Sequence, residues 1–171
     1  ERVQAVLDQH DILLIADEVV TGFGRTGKMF GSDSFGLKPD FMTIAKGLTS
    51  AYAPLSGSII SDRVFNVLSQ GTDDHGVLCH GWTYSAHPVS AAAGVATLKL
   101  IDEMGLVANT AAVGPYLLDR LTDAVGDHAK VAEVRGHGLL AAVEFMDDPE
   151  NRVAYPDMTV GPAIAAAMSP S

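Results

Sequence analysis

The stretch LLIADEVVTGFGRTGKM, residues 13–29, decides how the rest of the chain is read. Gly22, Gly24 and Gly27 spell the dinucleotide pattern G-x-G-x-x-G. Carried on to Lys28, the same residues fall one short of the phosphate loop G-x-x-x-x-G-K-[ST], because position 29 is Met. The apolar run before them ends in Asp17-Glu18, like the strand that holds magnesium in nucleotide hydrolases. Both nucleotide readings require a helix directly after the glycines, so that its N-terminus can receive a phosphate. After Gly27 the chain reads KMFGSDSFGLKPD, which has no helical period. Asp40 comes too early to be the ribose-binding acid and opens another strand instead. Glycines 22–27 therefore read as a tight turn that borders a site and does not cradle phosphate.

Around this stretch lies a globular composition. The chain has 171 residues, 47% hydrophobic and 19% charged. Its formal net charge of −10 disfavours nucleic acid and anionic membrane surfaces, which reward basic patches. Cys79 is the single cysteine, so no intrachain disulfide can form, and a reducing, cytoplasmic setting is expected. No apolar run reaches the length of a membrane span. The first residue is Glu1, inside an amphipathic pattern, ERVQAVLDQH, and the last residues form an apolar run with a short polar tail. The expectation is an internal piece of a longer protein.

The periodicities give an order of elements. A helix ends near His10; ILLIA (12–16) is a buried parallel strand; residues 21–38 form a long loop. FMTIA (41–45) and LSGSIIS (55–61) are two further strands, and Asp62 caps a short helix, RVFNVLSQ. Residues 78–86 are irregular. Residues 85–104 form a long Ala-rich helix, with Pro88 in its first turn and Gly105 at its end. A second helical pattern, 106–125, carries Gly114-Pro115, where a kink or break is expected. VAEVRGHGLLAAVEF (131–145) reads as strand, turn, strand, and residues 156–171 start another helix. The order predicts an α/β domain with a mainly parallel sheet, then a smaller α+β element.

Candidate chemistry is sparse. The six histidines show no metal-ligand spacing, Asp73-Asp74-His75 and Cys79-His80 read as loop residues, and no G-x-S-x-G elbow exists. Asp17 and Lys46 stand apart: each ends a predicted strand, where the ligand crevice of an open α/β sheet lies. An ordinary Asp–Lys ion pair is one reading. A ligand held between the two is the other, since buried ion pairs are expensive. Pyridoxal phosphate needs this combination: a lysine for the Schiff base and an acid for the ring nitrogen. TIAKGLTSAYAPLSG surrounds Lys46 with apolar and small residues, which leave space for a ring.

Four motifs in order make the resemblance specific. LLIADEVVTGFGRTGKMF (13–30), KPDFMTIAKGLTSAYAPLSGSIIS (38–61), HGWTYSAHPVSAAAGVATLKLI (80–101) and VRGHGLLAAVEF (134–145) resemble the class III pyridoxal-phosphate aminotransferases, closest to the ω-amino-acid/amine:pyruvate branch. The resemblance implies the PLP-dependent transferase fold (fold type I), with residues 1–104 in the cofactor-binding large domain and interdomain helix and residues 105–171 opening the C-terminal small domain. It implies transamination from an amine or ω-amino acid to a keto acid such as pyruvate, with pyridoxal 5'-phosphate as cofactor. Lys46 would be the Schiff-base lysine and proton shuttle, Asp17 the partner of the pyridine nitrogen, and Val19 a contact to one ring face. Thr83 would bind the cofactor phosphate of a neighbouring subunit, which implies a homodimer with shared sites. Arg25 and Gly27 match the family's turn, with a structural or site-shaping role. Ala86 stands where that family more usually has Gly before His-Pro. The family's phosphate cup, stacking aromatic and carboxylate-binding arginine have no counterpart in these residues, and Arg135 is structural. An aminomutase of the same fold and a non-catalytic truncated subunit are the alternatives.

Overall fold

The computed structural model describes residues 2–156 and 160–168. It divides into two compact units, 1–112 and 113–171.

The first unit begins with α1 (Arg2–Gln9), and then β1 (Ile15–Asp17). β1 is shorter than the apolar run predicts and starts three residues later. Its parallel partner β2 (Phe41–Ile44) sets this length, because the ladder starts at Ile15 opposite Phe41. Ahead of that point, the Leu14 N–H donates to the Asp40 carboxylate at 2.9 Å and the Leu14 carbonyl accepts from the Asp40 N–H at 2.8 Å. Asp40 also faces Arg63 at 3.8 Å. The acid weighed for a ribose is thus a stitch between strand starts. β3 (Gly57–Ile60) completes the sheet, antiparallel to β2. The expected burial of β1 is not met within this chain: Ile15 is 65% exposed. Nothing in the described residues covers that side of so short a strand.

The predicted loop 21–38 contains a helix, α2 (Gly31–Phe35). Its composition alone would not form one. Two of its N-terminal amides, Gly31 and Ser32, are instead bound by a distant carboxylate, that of Glu18. α3 (Asp62–His75) is longer than expected and is capped by Ser61, not Asp62. Ser61 has the extended backbone an N-cap needs, and its Oγ accepts from the Val64 N–H at 3.4 Å. Asp73, Asp74 and His75 accordingly lie in the last turns of a helix and not in a loop.

α4 (Pro88–Glu103) starts at the proline, three residues later than predicted, because Ser85 is engaged in a turn. Its Oγ accepts from the Trp82 N–H at 2.9 Å and its N–H donates to the Trp82 carbonyl at 2.9 Å. α4 rests on the segment after β2. A Cβ on Gly94 would meet Leu55 Cδ2 at 2.9 Å, and Leu48, Ser90 and Ile101 are buried. α5 (Leu106–Val125) stays helical through Gly114-Pro115, although Pro115 has no N–H for the Ala111 carbonyl.

In the second unit, β4 (Val131–His137) and β5 (Leu140–Phe145) form the expected hairpin, turning at Gly138 with φ +59°. A Cβ on Gly114 would lie 2.8 Å from Gly138, so helix and hairpin turn meet backbone to backbone. α6 (Val160–Met168) falls within the predicted final helix; residues 157–159 and 169–171 lie outside the described residues.

Candidate active site

β1 and β2 run parallel, and Asp17 is paired with Thr43 in register. Their C-terminal ends therefore deliver Asp17 and, just past β2, Lys46 to the same edge of the sheet. No ion pair joins Asp17 to Lys46 among the described residues, so the simple ion-pair reading has no support in the geometry.

Asp17 is exposed and its carboxylate is oriented. Oδ1 accepts from the Val19 N–H at 3.0 Å and from the Thr43 hydroxyl at 3.2 Å. Oδ2 makes no hydrogen bond among the described residues, which leaves it open to a donor from outside. Val19 is half-buried beside it.

Lys46 carries a strained backbone. Its φ is +42°, in the left-handed region that a side chain disfavours. Ser50 and Ala51, with φ +51° and +63°, share that region. Such outliers gather where a structure over-determines its backbone, often at functional sites. Lys46 begins a 3₁₀ turn (Lys46–Leu48) held by Leu48 N–H to the Ala45 carbonyl at 3.0 Å and Thr49 N–H to the Lys46 carbonyl at 3.2 Å. Thr49 is 2% exposed and its hydroxyl donates to the Ala53 carbonyl at 2.7 Å, anchoring the next loop. The Lys46 side chain itself is exposed, and its amine has no partner among the described residues.

The glycine turn touches this lysine loop. A Cβ on Gly47 would meet the Phe23 side chain at 3.0 Å, and Phe23 packs edge-on against Phe30 with ring centroids 5.7 Å apart. The turn's own amides are spent internally. Gly22 donates to the Glu18 carbonyl at 2.9 Å, Gly24 to the Met29 carbonyl at 3.2 Å and Gly27 to the Gly24 carbonyl at 3.1 Å. None of these three amides is left for a phosphate. The glycines serve close approach instead: with φ +95° and +84°, Gly24 and Gly27 lie against Val107 and Ala111 of α5.

Sequence reasoning gives Glu18 no role of its own, yet it is the most buried charge at the site, 2% exposed. Oε1 accepts from the Ser32 N–H at 2.6 Å and the Ser32 hydroxyl at 2.5 Å; Oε2 accepts from the Gly31 N–H at 2.8 Å and the Thr21 hydroxyl at 2.5 Å. Burial pushes its carboxyl up, but these four donors outweigh burial and hold it below the usual range. Strand alternation was the available signal: of two consecutive carboxylates, one must face away from the crevice.

Thr83 sits on the exposed turn Trp82 to Ser85, with no hydrogen bond from its hydroxyl among the described residues. Trp82 and Tyr84 of this turn face Pro54 and Leu55 across a cavity of about 340 Å³. Nothing in the described residues brings Thr83 to Asp17 or Lys46. Ala86 has φ +55°, a value at which Gly would be unstrained. Arg135 pairs with Glu133 at 3.1 Å and Glu144 at 2.7 Å on the hairpin, in keeping with a structural role. Among the described residues no group of His, Cys, Asp and Glu could hold a metal ion, and no helix is long and apolar enough to cross a membrane.

The sequence profile described as "Aminotransferase class-III" matches residues 1–167. The chain belongs to that family. Class III aminotransferases depend on pyridoxal phosphate. The chain is 55% identical to the diaminobutyrate–2-oxoglutarate transaminase of Halomonas elongata, over 98% of this chain and 36% of that enzyme. It is 42% identical to the putrescine–pyruvate aminotransferase of Pseudomonas aeruginosa, over 94% of this chain and 34% of that one. A transaminase obtained by ancestral reconstruction superposes with TM-score 0.93 at 55% identity, over 96% of this chain and 36% of the other. The omega transaminase from Pseudomonas jessenii in complex with PMP superposes with TM-score 0.86 at 42% identity, over 93% and 35%. The fold is that of the pyridoxal-phosphate-dependent class III transaminases, and the chain spans about a third of the length of these relatives.

Proposed function

We propose that the protein carrying these residues is an aminotransferase that moves the amino group of an amine or ω-amino acid to a keto acid. The observation that carries this is the strained Lys46 at the same sheet edge as Asp17, with the lysine amine and one carboxylate oxygen unpartnered among the described residues. These residues fit pyridoxal phosphate: an amine for its aldehyde carbon and an acid for its ring nitrogen. When bound, the cofactor supplies a cationic ring that takes up the electron pair left on the substrate's α-carbon. Asp17 Oδ2 would face the ring nitrogen and keep it protonated, while Oδ1 is fixed by Val19 N–H and Thr43. Val19 would pack on one ring face and shield it from water. Lys46 Nζ would be the amine that holds the cofactor and, when free, the base for a proton at the substrate's α-carbon.

By the family resemblance, residues 1–104 form part of the large domain and residues 105–171 open the small one. Thr83 would hold the phosphate in the neighbouring subunit of a homodimer, in line with a hydroxyl that has no hydrogen bond among the described residues. The setting is the cytoplasm. Pyruvate is the expected acceptor and 2-oxoglutarate its competitor, since the names of relatives carry both. The 171 residues alone are expected to be inactive.

Borohydride reduction in the presence of pyridoxal phosphate, with peptide mapping of the product, tests the assignment. The expected label is on Lys46; a label on any other lysine overturns it. Turnover of a diamine with and without pyruvate separates transamination from an aminomutase, which needs no acceptor.

A further inference from the structure

We propose that Glu18 is a positioning residue, whose buried carboxylate fixes the Asp17 carboxylate toward the cofactor ring. The proposal rests on the aminotransferase reading above. Glu18 follows directly on Asp17, the last residue of β1, yet the two carboxylates take different partners: Val19 N–H and Thr43 for Asp17, the start of α2 and Thr21 for Glu18. Asp17 Oδ1 is held and Oδ2 makes no hydrogen bond among the described residues. Glu18 points into the segment behind it and takes four donors there: Gly31 N–H, Ser32 N–H, the Ser32 hydroxyl and the Thr21 hydroxyl.

The connection to Asp17 runs through the backbone. The Glu18 N–H donates to the Thr43 carbonyl at 3.0 Å, and the Glu18 carbonyl accepts from the Gly22 N–H at 2.9 Å. The next amide, Val19 N–H, orients Asp17 Oδ1, and Thr43 supplies the second bond to the same oxygen. Backbone and side chain of Glu18 thus fix the peptide unit that aims Asp17. Gly31 has little room to accommodate a shift, since a Cβ there would lie 3.0 Å from Thr21 and 3.2 Å from Glu18 Oε2. A neutral amide at position 18 can accept through one oxygen only, and its NH₂ turns donor toward donor at Gly31 or Ser32.

The consequence is spectroscopic as well as kinetic. A protonated ring nitrogen lowers the proton affinity of the nitrogen that links the cofactor to Lys46, because the two like charges share one conjugated system. If Asp17 is mis-aimed, the ring nitrogen loses its proton more readily and that affinity rises. In the full-length gene product, Glu18→Gln is expected to raise the pH midpoint of the bound cofactor's visible absorbance by about 0.5–1 unit. Its kcat should fall more than KM for the amine rises. Loss of stability alone would lower Tm and leave the midpoint in place. A folded Glu18→Gln protein with the parent's midpoint overturns the proposal.

Should Glu18→Gln not fold, Ser32→Ala and Thr21→Val each remove one donor to the same carboxylate. A midpoint raised in either supports the proposal, and parent midpoints in both overturn it. If borohydride fixes no cofactor on Lys46 in the parent protein, the aminotransferase reading falls and this proposal with it. If it does, only the midpoints decide.

Discussion

Gly27 and Gly36 both have positive φ, +84° and +63°, but only Gly27 is crowded. A Cβ on Gly27 would sit 3.0 Å from the Ala111 Cα, whereas one on Gly36 would meet nothing within 4 Å. Gly36→Ala should therefore cost only the left-handed backbone penalty, about 1–2 kcal/mol. Gly27→Ala adds overpacking of roughly 1–3 kcal/mol against a helix backbone that cannot easily yield. Urea unfolding of the two variants in the full-length protein checks this. Equal losses would mean that the turn does not need its close approach to α5. The sequence pattern makes these glycines visible but not their purpose, because the contact that requires them lies more than eighty residues away. Asp17 and Lys46 are legible because strand ends can be read from apolar runs. Glu18 is not, because its donors at Gly31 and Ser32 lie in a stretch that looks like loop.

At the scale of elements, α4 is readable from Pro88 and Gly105, and the hairpin from a glycine between two alternating strands. The ends of β1 are not, since a strand is only as long as its partner ladder, and the β2 partner starts at Phe41. Sequence points to Asp62 as the cap of α3 where the structure has Ser61; both are cap formers, and only backbone geometry separates them. Ser61→Ala is expected to cost about 0.5–1 kcal/mol, at the low end for a cap because its bond to Val64 is long, 3.4 Å. Asp62→Ala should cost less, since Asp62 contributes only a favourable charge in the first turn. Helicity and denaturation midpoints of the two variants distinguish them; a greater loss from Asp62→Ala would reverse the assignment.

At the scale of the molecule, Glu18 contributes to the pH dependence of stability. This carboxylate is held ionised below its ordinary range by four donors, so it adds stability above the unfolded value of about 4.3. That contribution declines as pH falls below this value and is gone once pH drops through the folded-state value. Glu18→Gln should flatten the acid limb of the stability–pH curve, read by thermal melts between about pH 6 and 3; an unchanged limb refutes it. The molecule also leaves much apolar surface in water. The described residues bury few hydrophobic side chains, Leu48, Ile101 and Met146, while Ile15, Phe65, Val67, Trp82 and Tyr116 are each more than half exposed. This is more apolar surface than a monomer normally exposes. The 171 residues expressed alone should bind a hydrophobic dye strongly and elute as oligomers or aggregates. Where the proposed homodimer covers these side chains, neither behaviour is expected. A dye-silent monomer of the short chain would contradict this.

The sequence by itself determined the family, because four motifs recur in one order, and it determined which carboxylate and which amine end adjacent strands. Local pattern suffices there: apolar runs, a polar residue at their end and short-range spacing are all encoded within a few positions. Tertiary structure alone decided that Lys46 sits at a positive φ, that the glycine turn spends its amides internally and lies on α5, and that Glu18 binds the first amides of α2. Each depends on contacts between distant segments, where the free energy of a buried charge or a close approach is fixed by what happens to face it.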